Sequence, residues 1–412
     1  MHRYFIATAL TVILSLPIFA QSLFFGSWSG TIEAGATKLT IVFNLSEDES
    51  GTIKCTLDSP DQSAKGIRAE VTAISDIMLE VSVPSIGASY KGMMFKDSIF
   101  GTFSQLGSDF PLKLTKGIPE LKRPQTPKEP FPYTSEEVVF TNEAAGASLA
   151  GTLLLPEGAG PETPVILMVT GSGQENRDEE IYEHKPFLVI ADYLARKGIA
   201  TLRYDDRNYG QSKGGDLMHA TTLDFMHDAG AGIEYLRAKG IFGKVGVLGH
   251  SEGGNIAFML GAAGKVDFAI SLAGVGVKGD EALTAQTNRL LEINGQDQRM
   301  TVEMFRANIA LQGNAWLNWF IDYDPLPDIK ACNCPTFAVN GDKDFQVLSS
   351  LNLGSIKENL PASEVNFVKE YPSLNHLFQH SETGSNTEYR LIEETFSEEV
   401  LEDMARWIQG LL

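Results

Sequence analysis

The stretch Gly249-His250-Ser251-Glu252-Gly253 constrains this chain more than any other, because a strand-like run, Lys244 to Leu248, leads into it and a helix-like run, Gly254 to Ala263, leads out. Glycines two residues either side of a serine let a strand turn sharply into a helix where side chains have no room. The serine hydroxyl is then exposed at the crest of the turn, and the unsatisfied N–H groups of the helix N-terminus aim at the same spot. Such a turn reads as a nucleophile elbow. The plainer reading, glycines that only let helix and strand pack closely, is decided by what lies further along the chain.

From Val165 onward apolar strands alternate with amphipathic helices. The strands are Val165 to Val169, Ala200 to Tyr204, Val245 to Leu248, Phe268 to Leu272 and Thr336 to Val339, and the helices are Pro186 to Lys197, Thr222 to Lys239, Gly254 to Ala263 and Ser397 to Leu411. Continuous apolar strands between helices imply an α/β fold with a mainly parallel sheet covered on both faces. Glu136 to Phe140 and Leu149 to Leu155 read as a β-hairpin ahead of it. From about Val277 to Ile329 helix-like sequence runs without a strand, which predicts a helical lid above the strand ends. Trp316, Trp319, Phe320 and Tyr323 in that interval suit an acyl or aromatic pocket and equally the lid's own core.

Residues 21–118 differ in kind. Short alternating runs such as Lys38 to Leu45, Ile77 to Val83 and Met93 to Phe95, broken by Gly, Ser, Asp and Pro, predict a small antiparallel β domain or barrel, with Trp28 closing one end of its core. Pro119, Pro124, Pro127, Pro130 and Pro132 then crowd residues 119–133, an expected semi-rigid linker before a second domain at 134–412. Residues 1–20 carry a charged start, an apolar run from Phe5 to Leu16 and Ala20 before Gln21, the pattern of a secretory signal cleaved after Ala20. The expectation is export to the periplasm or beyond, with no stable membrane span once the signal is removed; an uncleaved N-terminal anchor is the alternative.

A chain of 412 residues with 43% hydrophobic and 21% charged content is globular and large enough for two domains. Its formal charge of -20 works against binding nucleic acid or anionic lipid, which demand clustered Lys and Arg. Cys55, Cys332 and Cys334 are too few and too oddly spaced for a disulfide framework, and no Cys/His cluster has metal-binding spacing. No metal and no cofactor is expected, and the sequence does not speak to oligomeric state.

A serine hydroxyl is a poor nucleophile at neutral pH, so it needs a base within hydrogen-bond reach and a group that fixes the base's tautomer. Of the histidines, His2 lies in the signal, His184, His219 and His227 precede the elbow, and His250 is expected to point away from its neighbour's hydroxyl. His376 and His380 remain, and His376 sits in a loop between the apolar run Val365 to Val368 and the last helix. Asp344, with Asp342 as the alternative, follows the strand Thr336 to Val339, where a carboxylate would reach the carboxyl edge of the sheet. The order Ser251, Asp344, His376 fits this topology. Oxyanion donors are expected from the backbone N–H of Glu252 and of Ser172, with Gly173 next, in the loop Thr170-Gly171-Ser172-Gly173-Gln174.

Val169 to Glu180, Leu202 to Ser212 and Leu248 to Gly254 resemble three blocks of the α/β-hydrolase superfamily, in particular its bacterial exported esterases with a small β-rich N-terminal domain. The resemblance covers residues 134–412 well and the first domain loosely. Its first block matches at Gly171-Ser172-Gly173 and the pair Arg177 and Asp178, its second at Asp205, Arg207, Gly210 and Ser212. Asn208 stands where those relatives have Gly, which Asn can replace in a left-handed conformation, and Thr170 stands where many lipases have His. The resemblance implies an α/β-hydrolase fold, an esterase-like serine hydrolase acting without a cofactor on small-molecule esters, and Arg177, Asp205 and Arg207 as bracing charges. A peptidase of the same fold and a non-catalytic envelope-binding protein are the two alternatives.

Overall fold

The computed structural model describes residues 21–34, 37–62, 64–118, 121–310 and 314–412; the expected signal, residues 1–20, lies outside them. The chain divides into two compact units, one ending at Glu120 and one beginning at Leu121.

Alternation of inward apolar and outward polar residues between Gly26 and Lys116 gives eight strands: β1 (Gly26–Ala34), β2 (Thr37–Glu47), β3 (Ile53–Ser59), β4 (Ala64–Ile74), β5 (Met78–Val83), β6 (Ala88–Phe95), β7 (Ser98–Gln105) and β8 (Ser108–Lys116). Each pairs antiparallel with the next, and β1 meets β8 at Ser29 and Thr115, so the sheet closes into a barrel without free edges. Its interior is filled by side chains such as Phe43, Leu79, Tyr90 and Phe103. Trp28 is 2% exposed and donates its indole N–H to the Phe24 carbonyl at 2.7 Å, which makes it core rather than a surface anchor for a ligand.

The second unit carries β9 (Tyr133–Asn142), β10 (Ala147–Pro156), β11 (Val165–Val169), β12 (Ala200–Tyr204), β13 (Val245–His250), β14 (Phe268–Leu272), β15 (Thr336–Gly341) and β16 (Phe367–Tyr371). Its helices are α1 (Pro186–Arg196), α2 (Thr222–Lys239), α3 (Glu252–Ala262), α4 (Gly279–Ile293), α5 (Val302–Ile309), α6 (Ala315–Phe320), α7 (Leu326–Ala331), α8 (Ser349–Asn359), α9 (Asn386–Tyr389) and α10 (Glu398–Gly410). The sheet order is β16-β15-β14-β13-β11-β12-β10-β9, with β9 and β10 forming an antiparallel hairpin and the other six strands parallel. Helices α1 and α10 cover one face, and α2, α3, α7 and α8 cover the other. The chain leaves β11 for β12 on one side and returns through β13 on the other. The loops after β11 and β13 therefore splay apart at a topological switch point, where open α/β sheets hold their sites.

Two expectations need correction. The Pro-rich segment is no free spacer from residue 121 onward: the Arg123 guanidinium donates to the carbonyls of Tyr182, Glu183, Arg390 and Ile392, and the Gln125 side chain binds the backbone of Thr395 and Phe396. Fixed φ values made the stretch look like a spacer, but two long polar side chains satisfy otherwise open carbonyls and dock it. The lid, in turn, is shorter than expected. Helix α7 packs on α3 and buries Ile329 in the core beneath the sheet, so α4, α5 and α6 alone form the insertion. Trp316 stacks on Phe320 at 5.2 Å and Trp319 on Tyr323 at 5.0 Å, and Phe320 is buried with Val275, Ala282 and Val347. These aromatics are the insertion's own core.

Candidate active site

Ser251 sits between β13 and α3 with φ 54° and ψ -118°, a left-handed backbone that a non-glycine residue adopts only under constraint. The constraint is close backbone contact. A Cβ on Gly249 would overlap the Gly253 carbonyl, and one on Gly253 would overlap the carbonyls of Val169 and Thr170. Glycine at both positions is what lets the turn press against the end of β11. The Glu252 amide opens α3 and so has no partner within the helix, leaving it available to an oxyanion above Ser251.

His376 lies in the loop after β16, 4% exposed, and its Nδ1 meets the Asp344 carboxylate at 2.7 Å. The other Asp344 oxygen accepts the amides of Gln346 at 2.8 Å and Val347 at 2.9 Å, so the carboxylate is held on three sides. With Nδ1–H donated to Asp344, Nε2 is the basic nitrogen. Asp342, the alternative orienting acid, instead accepts the Ser373 amide at 2.6 Å and shapes a turn. His380 is paired with Glu394 at 2.8 Å on the surface.

Ser251, His376, Gly171, Ser172 and Glu175 line one cavity of about 90 Å³. Among the described residues the Ser251 hydroxyl forms no hydrogen bond with His376; such bonds commonly tighten only when substrate is bound. Ser172 borders the cavity and Gly173 does not, while the Gly171 amide is already donated to Glu179 at 3.2 Å. Of the loop's candidates for a second oxyanion donor, Ser172 borders the cavity and has an amide that no other group takes up among the described residues.

His250 and Glu179 also line this cavity, and they belong to a buried polar layer that the sequence did not disclose. The His250 ring nitrogens are taken up elsewhere than Ser251, meeting Glu179 at 2.8 Å and the His376 carbonyl at 2.9 Å, and the ring stacks obliquely on that of His376 at 4.6 Å. Because Glu179 also holds the Gly171 amide, one buried ion pair ties together the oxyanion loop, the elbow and the histidine loop. Burial would lower the pKa of His250, yet the Glu179 charge and hydrogen bond, with the His376 carbonyl, outweigh it and raise the pKa to about 9. Asp206 accepts the Glu175 amide at 2.9 Å and the Thr170 hydroxyl, and burial pushes its carboxyl up to about 8 against those bonds. Thr170 thus anchors the loop through an acid. The Glu252 carboxyl, buried and pushed up to about 7, accepts Thr222 at 2.6 Å and the Trp316 indole at 2.8 Å, joining α3 to the insertion.

The flanking charges are braces. Arg177 bridges Asp205 at 2.9 Å and Glu137 at 2.6 Å, and Arg207 meets Asp228 at 2.7 Å with both side chains buried. Asp178 pairs with Arg203. Asn208 has φ 57°, the left-handed conformation expected of a glycine substitute.

The family model described as serine aminopeptidase, S33, matches residues 183–295. Esterase EstD of Thermotoga maritima is 26% identical over 291 residues, which cover 67% of this chain and 69% of that protein. Solved structures of similar trace include an esterase of Pyrococcus furiosus, with TM-score 0.47 and 16% identity over 71% of this chain and 99% of that one. Another is Est1E of Butyrivibrio proteoclasticus with ferulic acid bound, with TM-score 0.45 and 17% identity over 66% of this chain and 97% of that one. The sheet order and the left-handed serine turn at its switch point give the second unit an α/β-hydrolase fold, and over 67% of its length the chain is similar to an esterase.

Proposed function

We propose that this protein cleaves carboxylic esters of small or medium acyl groups through an acyl-enzyme. Ser251 attacks the carbonyl, His376 Nε2 takes its proton and returns it to the leaving alcohol, and Asp344 holds the ring and stabilises the imidazolium. The amides of Glu252 and Ser172 receive the oxyanion. A water molecule then repeats the sequence on the acyl-enzyme. The observation that carries this reading is the 2.7 Å His376–Asp344 bond at the edge of the cavity that Ser251 also lines.

A cavity of about 90 Å³ holds the volume of about three water molecules. That supports a short acyl group. Across p-nitrophenyl esters, kcat/KM is expected to peak between acetate and butyrate and to fall at least about tenfold by dodecanoate, since a chain longer than the cavity must displace its walls to bind. Amide cleavage is the second reading, favoured by the match to the serine aminopeptidase model over 183–295. Aminoacyl anilides outrunning every ester in the same panel would replace the ester reading with it.

We also infer that the protein is exported to the periplasm or beyond, on the signal-like pattern of residues 1–20. Expression of the full chain in a Gram-negative host is expected to give a periplasmic protein whose N-terminus is Gln21. A product that stays in the cytoplasm with Met1 in place would contradict this.

A further inference from the structure

Glu175 is the one acid of the buried layer that borders the Ser251 cavity without a structural bond of its own. Asp206 is occupied by Thr170 and a backbone amide, Glu179 by His250 and Gly171, and Glu252 by Thr222 and Trp316. The Glu175 backbone is fixed, its amide donating to the Asp206 carboxyl and its carbonyl accepting from the Asp206 amide, so the side chain starts from a fixed point. Yet its carboxyl has no hydrogen-bond partner among the described residues, and Oε2 is fully enclosed. A polar atom buried without a partner costs about 1–3 kcal/mol, so such a group in a cavity is one whose partner is expected to arrive.

Its position relative to the nucleophile is defined by an absent methyl. A Cβ built on Gly171 would touch Ser251 Cβ at 3.5 Å and Glu175 Oε1 at 3.6 Å. The serine and the carboxyl, with Glu179 Oε1 at 3.7 Å, therefore face one methyl-sized gap beside Gly171. An acyl group carried on Ser251 that occupies this gap lies within reach of the Glu175 carboxyl.

Resting on the serine ester chemistry proposed above, we propose that Glu175 is a specificity-determining residue that donates a hydrogen bond to an oxygen on the acyl carbon next to the scissile carbonyl. The favoured substrates are then esters of 2-hydroxy or 2-alkoxy acids rather than plain alkanoates. Burial, together with the nearby Glu179, Asp206 and Glu252, drives the Glu175 carboxyl well above the ordinary carboxylate range against the opposing pull of His250, which favours its protonated, hydrogen-bond-donating form. A site built to bond a substrate hydroxyl discriminates against the analogue that lacks it, because the protein group is left unpaired.

The test compares p-nitrophenyl methoxyacetate with p-nitrophenyl propionate, each kcat/KM divided by the ester's own hydroxide-catalysed rate to remove intrinsic reactivity. The wild type is expected to prefer the methoxyacetate by about tenfold or more. Glu175→Gln, which keeps an N–H donor, should retain the preference, and Glu175→Leu should lose it. Raising the pH should erode the wild-type preference as the carboxyl ionises, and leave that of Glu175→Gln in place. Fluorophosphonate labelling of each variant reports whether the nucleophile is still assembled. No wild-type preference, or equal losses on both esters in Glu175→Leu, overturns the proposal while leaving the ester chemistry intact. Absence of turnover and of labelling in the wild type overturns the ester reading itself.

Discussion

Replacing Ser251 with Ala is expected to lower kcat on a short-chain ester by about 10⁴ to 10⁶-fold while the protein stays folded. The size follows from what is removed: without the hydroxyl there is no acyl-enzyme, and only the oxyanion amides and simple binding remain to act on water. Folding should survive because Ala supports the same turn. The left-handed backbone at 251 is enforced by Gly249 and Gly253 pressing on neighbouring carbonyls, not by the serine side chain. Removing Asp344 or His376 along with Ser251 should add little, since groups acting as one unit are not additive. Steady-state kinetics with an active-site titration checks this, and turnover within tenfold of wild type would show that another residue attacks.

The second large effect concerns the Glu179–His250 pair, which no reading of the sequence placed in the site. Breaking a buried ion pair by removing one partner leaves an uncompensated charge and typically costs about 3–5 kcal/mol. The rise of the His250 pKa from 6.5 to about 9 sets a similar scale, about 3 kcal/mol. The sign follows from the direction: a histidine with a raised folded-state pKa contributes stability that is fully present below about pH 6.5 and is lost as pH climbs through about 9. Glu179→Gln should therefore lower stability most near and below neutrality and flatten the alkaline decline seen in the wild type. Since Glu179 also holds Gly171, and His250 holds the His376 carbonyl, kcat should drop by about tenfold or more with KM changed little. Urea unfolding from pH 6 to 9.5, with kinetics at each pH, measures both, and equal destabilisation at every pH would show that the pair is not charged in the folded state.

What the sequence disclosed and what it hid follow one division. The parallel strands were legible because strands buried on both faces must be apolar throughout, as in Val165–Val169 and Phe268–Leu272. The elbow was legible because only glycine fits where Gly253 meets the end of β11. Asn208 was legible as a left-handed residue for the same local reason. The buried acids were not. Glu175, Glu179 and Asp206 look like ordinary surface carboxylates in a chain of charge -20, and only their tertiary partners reveal otherwise. Nothing in the sequence around His250 shows that its ring holds the histidine loop through the His376 carbonyl. The insertion's end is hidden in the sequence because the short α7 continues the strandless helix-like run that starts near Val277, although its Ile329 lies in the main core.

The account rests on Ser251 being the nucleophile that the His376–Asp344 pair activates. Fluorophosphonate labelling followed by mass spectrometry of the tryptic peptide 245–265 tests it most directly. The predicted result is a single adduct on Ser251, formed at least about a hundredfold more slowly in His376→Ala. An adduct on any other residue, or labelling at an undiminished rate without His376, would contradict it.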